Sequence, residues 1–161
     1  MATSLQMRRD ASLVRSEKAF WPSGNRFYGS ARGIAPGETA VLNIAGPGGL
    51  PIATGIFVLY ADERSFTFSS PEGHILGGWI TFSAYEEDGA TVAQVQALFR
   101  GGDVLYELGF MTGMAHKAED TFWGKTLGAL AAHFGAASRK GIGMLGSTCV
   151  WQKSTFPRWK R

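Results

Sequence analysis

His116 and Asp120 stand four residues apart, and on a helix that spacing brings an imidazole and a carboxylate to one face. A His oriented by a carboxylate can serve as a general base, and Tyr106 and His74 are the other polar groups able to join such a site. The same pair also serves as a solvated helix contact, and Lys117, Glu119 and Asp120 together read as an exposed edge. No serine or cysteine in a nucleophile's setting accompanies them. The three histidines and the single Cys149 are too scattered to ligate a metal, so none is expected. The Gly-rich stretch GPGGLP (46–51) is not a GxGxxG and lacks a following Lys-Ser/Thr pair, so it reads as a hairpin loop and no cofactor is expected. Glu86-Glu87-Asp88 reads as a solvated turn, where neighbouring carboxylates lack the low dielectric that would split their pKa values.

The elements that must position these groups are legible in the alternation of the chain. Apolar, β-branched and aromatic runs over 38–45, 52–61 and 65–69 predict three strands. The run from Ile80 to Arg100 folds about Asp88-Gly89, a dipeptide suited to a tight turn with positive φ at both central residues. Counting outward pairs Tyr85 with Val92, Ala84 with Ala93, Phe82 with Val95, Ile80 with Ala97 and Gly78 with Phe99. One face then carries Ile80, Phe82, Ala84, Ala93, Val95, Ala97 and Phe99, and the other is mostly polar. The apolar face needs a cover. Residues 103–134 supply it as a helix capped by Asp103, with Trp123, Leu127, Leu130 and Phe134 on one stripe and a break expected near Gly109 and Gly113.

The small Ala84, Ala93 and Ala97 on that face predict a hollow beneath the helix, walled by Phe82, Phe99, Tyr106, Phe110, Met111, Met114 and Trp123. The competing reading is that the alanines let the helix sit closer, as cores normally pack without voids.

At 161 residues and 45% hydrophobic content the chain suits one compact unit. It divides into an N-terminal segment (1–35), a sheet-and-helix body (36–135) and a basic aromatic tail (136–161). The net charge of +3 is uneven: counting Lys and Arg against Asp and Glu, residues 1–32 carry six against two, 33–138 four against eleven, and 139–161 six against none. An acidic body repels phosphate, which argues against a nucleic-acid reader. The tail WQKSTFPRWKR suits either folding back onto that body or peripheral contact with an anionic membrane surface, an acidic partner or nucleic acid. No apolar run is long enough to cross a bilayer and no secretory h-region opens the chain, which gives a cytoplasmic expectation. The Arg- and Ser-rich, acid-poor opening is also the composition of an organellar transit segment.

The stretches SFTFSSPEGH, GGWITFSAYEEDGATVAQVQALFR and EDTFWGKTLGALAAHFG, in that order, resemble the later two-thirds of a START-like domain of the SRPBCC superfamily, which includes polyketide cyclase-like and pollen-allergen-like proteins. The resemblance implies an α+β helix-grip fold, an antiparallel sheet wrapped around a long C-terminal helix, with a small hydrophobic ligand of lipid, polyketide or aromatic type between them. It implies Ile80, Phe82, Ala84, Ala93, Val95, Ala97, Phe99, Phe110, Met114 and Trp123 as the ligand-binding set, in a carrier, sensor or cofactor-free enzyme. Such domains open with a strand and two helices, for which residues 1–32 are too short. Closure of the hollow therefore falls to an abbreviated lid, to the tail, or to the second subunit of a homodimer.

Overall fold

The computed structural model describes residues 20–46, 51–87, 90–133, 141–144 and 149–156. In chain order these form β1 (Arg26–Tyr28), β2 (Thr39–Ala45), β3 (Pro51–Ala61), β4 (Ser65–Ser69), β5 (Leu76–Glu87), β6 (Ala90–Gly101), α1 (Val104–Met111), α2 (Met114–His133), β7 (Gly141–Met144) and β8 (Cys149–Phe156). The strands make one antiparallel sheet in the order β1-β2-β3-β4-β5-β6-β8-β7, so the architecture is α+β.

The long hairpin has the register that alternation predicts, with Ala84 opposite Ala93, Phe82 opposite Val95, Ile80 opposite Ala97 and Gly78 opposite Phe99. Glu87 pairs with Ala90, which leaves a two-residue connection; Asp88 and Gly89 themselves lie outside the described residues, as does most of the GPGGLP loop. On the polar side the hydroxyls of Thr67 and Thr81 meet at 2.9 Å across β4 and β5. Between β3 and β4, Asp62 ties the turn: its carboxylate accepts from the amides of Arg64 and Ser65 and from the Tyr60 hydroxyl. A bulge at Leu59 turns Leu59 and Tyr60 both outward and brings Ala61 back to the inner face.

Asp103 caps α1 as its type and place suggest, its carboxylate accepting from the amides of Leu105 and Tyr106 at 2.9 and 3.0 Å. The helix does break, at Gly113, whose φ of +76° suits glycine, while Gly109 stays helical. Trp123, Leu127 and Leu130 are buried as the stripe predicts, and Phe134 lies outside the described residues. They join Phe66, Phe68 and Phe82 in one core, where burying each large apolar side chain contributes roughly 1.5–3 kcal/mol.

Residues 26–28, within the N-terminal segment, form an edge strand paired with β2 that was not expected. The basic aromatic segment at the end lies back on the body as strands: it supplies β7 and β8, and β8 pairs along β6 from Thr91–Phe156 to Leu98–Cys149. The reason is the edge: β6 carries a full row of unpaired amides and carbonyls, and CVWQKSTF has the β-branched and aromatic content to pair with it. The helix is therefore not the last element of the chain.

Candidate functional site

Between the inner face of β2–β6 and α2 lies a partly open cavity of about 230 Å³. The sheet contributes Phe68, Trp79, Phe82 and Phe99 to its wall, the helix contributes Phe122 and Trp123, and the segment before β1 contributes Trp21. These rings hold one another by edges and faces. Phe82 meets Trp123 at 5.3 Å between centroids, and Trp21 stands near-perpendicular to Phe122 and Trp123 at 5.6 and 6.4 Å. Such pairs each add about 0.5–1.5 kcal/mol beyond the area they bury.

The polar groups of the wall are few. His74 sits in the loop between β4 and β5, and its Nδ1 accepts from the Leu76 amide at 2.9 Å, which assigns the ring proton to Nε2. Burial holds its imidazole below the ordinary histidine value, so the neutral ring is favoured. The loop is set by close backbone contact. Gly102 donates to the Ile75 carbonyl at 2.8 Å, and a Cβ on Gly102 would come within 2.2 Å of the His74 carbonyl oxygen, so only glycine fits.

Glu119 faces the cavity from α2, one turn before Trp123, whose indole Nε1 donates to its Oε2 at 2.8 Å. Burial pushes its carboxyl above the usual carboxylate range, the indole hydrogen bond opposes that rise, and the neighbouring Asp120 adds to it. The side chain touches the hollow yet is packed round by protein, which is how it keeps some accessible surface and still loses most of its hydration. Ser69 and Ser70 line the same cavity, and Asn25 closes its rim, donating to the Pro22 carbonyl and accepting from the Ala45 amide.

Of the four residues considered for catalysis, His74 lines the cavity, whereas Tyr106, His116 and Asp120 do not. Of the expected ligand-binding set, Ile80, Phe82, Phe99 and Trp123 line it. Ala84, Ala93, Val95 and Ala97 do not; Ala93 and Val95 are buried in the core that holds Leu127, Leu130 and Ala131, and Ala97 is buried against Phe99 and Ile80. Ala93 lets the cover sit close, and the hollow lies elsewhere on the same face. Met111 and Met114, expected in the wall, are 78% and 68% exposed, because the break at Gly113 carries the two helix ends outward. The side chain of Phe110 lies outside the described residues.

Sequence reasoning missed Glu119, Trp21 and Asn25. Glu119 had a signal: it precedes Trp123 by four and so continues the buried stripe toward the N-terminus, but its charged neighbours Lys117 and Asp120 masked it. Trp21 had none, because its place depends on how the segment before β1 returns across α2.

A wider, open hollow of about 670 Å³ lies on the outer side of β1–β4 around Tyr28, Val41 and Phe57, with no acid, histidine or cation in its lining. Among the described residues no group of three or more His, Cys, Asp or Glu is placed to hold a metal ion, and no helix is long and apolar enough to cross a membrane. No family model matches the chain, and no curated protein or solved structure matches it either.

Proposed function

We propose that the protein binds one small, largely apolar molecule in the cavity between sheet and α2, in the helix-grip manner of START-like domains, as carrier, sensor or cofactor-free enzyme. The observation that carries this reading is a hollow walled by seven aromatic side chains with only a handful of polar groups, the composition of a ligand pocket rather than of a packing defect. The element order supports it: a sequential antiparallel sheet ending in a long hairpin, then a helix across the apolar face. The segment from Trp21 to Asn25 acts as the abbreviated lid, with Trp21 laid on Phe122 and Trp123.

The volume narrows the ligand class. A cavity of roughly 150 Å³ holds benzene, so about 230 Å³ suits a molecule of roughly eight to ten non-hydrogen atoms, and a longer chain would have to protrude through the open side. In an enzyme the acid–base work falls to His74 and Glu119, the two titratable groups at the hollow, rather than to the His116–Asp120 pair.

Native mass spectrometry of the full chain with a panel of monocyclic and bicyclic compounds tests the reading. The expected result is a one-to-one complex that Ile80→Phe, which fills the hollow from β5, abolishes while the protein stays folded. Binding of the panel that is indifferent to Ile80→Phe, or no complex with any member, overturns it.

A further inference from the structure

Resting on that reading, we infer that the ligand is a small organic cation, an ammonium ion whose charge sits against Glu119 and the rings beside it.

Three features converge. Trp21, Phe122 and Trp123 stand mutually near-perpendicular, at interplanar angles of 79°, 88° and 79°, and all three line the hollow. The face of an aromatic ring is electronegative and attracts a cation, most strongly for Trp and most of all where water is excluded. The second feature is the carboxyl of Glu119, fixed at Oε2 by the Trp123 indole and therefore held at the edge of one of those rings. The third is charge. Among the described residues no Lys or Arg lines the cavity, and the one basic group there, His74, is favoured as the neutral ring. Because burial favours the neutral carboxyl, Glu119 ionises in the hollow only against a counter-charge, and the incoming ligand is the one to supply it.

An anionic ligand would meet Glu119 unfavourably, and a neutral hydrocarbon would leave its carboxyl without use. A neutral carbonyl compound, accepting a hydrogen bond from a protonated Glu119, is the rival that charge alone does not separate, and pH does. Binding a cation draws the proton off Glu119 to solvent and pairs the carboxylate with the ligand, so affinity rises with pH, by up to about tenfold per unit below the group's pKa, and levels off above it. A carbonyl ligand shows the opposite slope. The titratable groups around Glu119 are Asp120 on the same helix, which favours the cation further, and His74 from the β4–β5 loop, whose neutral form contributes no competing charge.

The test uses choline and its uncharged tert-butyl isostere, which share size and shape, in calorimetric titrations of the full-length protein. Choline is expected to bind about tenfold or more tightly than the isostere, the margin of a desolvated cation–π contact, with affinity rising with pH. Glu119→Gln keeps the acceptor for the Trp123 indole and is expected to erase the margin and the pH slope. Equal or tighter binding of the isostere overturns the cation inference and leaves the apolar-pocket reading standing, as does a choline affinity that falls with pH. Failure of both probes to bind overturns the two together. Should Glu119→Gln fold poorly, the pH slope of the unaltered protein decides.

Discussion

The two ends of the long hairpin's inner face are built from different residues and meet α2 differently. At the turn end Ala84 and Ala93 are small, and Ala93 shares a core with Leu127, Leu130 and Ala131 of the helix. Away from the turn Ile80, Phe82 and Phe99 line a hollow that Phe122 and Trp123 line from the helix side. Intuition assigns space to small side chains and tight packing to large ones. Here small side chains remove the obstacle to approach, so the gap closes. Rigid rings locked edge to face hold the elements apart at a distance that their own planes do not fill.

Breaking the aromatic end is expected to have the largest effect. Phe82 is buried, stacked on Phe66 at 4.7 Å and crossed with Trp123, so Phe82→Ala should lower unfolding free energy by about 3–5 kcal/mol in a urea titration. A loss below about 1 kcal/mol would mean that the rings collapse into the space, and that they do not prop the helix as described.

The packed end gives the next largest effect and the sharpest contrast. Ala93→Leu adds bulk where the helix already touches the sheet and should cost about 1–3 kcal/mol without changing ligand affinity, measured by denaturation and titration of the same preparation. If it abolished binding while sparing stability, the hollow would extend under the alanines after all.

The smallest effects are those of pH, and they separate the hollow from the turn at Asp62. Glu119 has its folded pKa raised, so its contribution to stability is complete below the unfolded carboxyl value and is lost as pH rises through the folded one. His74 has its folded pKa lowered, so its contribution is present above the unfolded value of 6.5 and is lost as pH falls through the folded one. Asp62, held down to about 2 first by the Tyr60 hydroxyl and then by the Arg64 amide, contributes above 3.8 and loses that as pH falls toward 2. Denaturation midpoints across about pH 2 to 9 should therefore decline on both flanks, with Glu119→Gln flattening the decline as pH rises and His74→Gln the shoulder below neutrality, each leaving the Asp62 flank in place. A profile unchanged by either substitution would place both groups in water rather than in the wall.

Much of the architecture was readable in the residues, because strand pairing is a local relation. An Asp-Gly turn and a period of two fix which residue lies opposite which, and a stripe at i, i+4, i+7 fixes which helix face turns inward. Asp103 as a cap and a break at Gly113 follow from the same short-range chemistry. The site was far less readable. Glu119 looked exposed because its sequence neighbours are charged, yet its surroundings in space are Trp21, Phe122 and Trp123. That the basic segment at the end could fold back was readable, but not where, because the edge it completes, that of β6, lies roughly fifty to sixty-five residues earlier in the chain. The sequence by itself therefore determined the register of the long hairpin, the helix and its buried stripe. Tertiary structure decided which part of the apolar face closes and which stays hollow, and that the one carboxyl on the stripe faces into it. The physical reason is that a void is set by how near one element can come to another, and that depends on contacts between distant segments, such as Trp21 against Trp123 and β8 along β6, which no local pattern encodes.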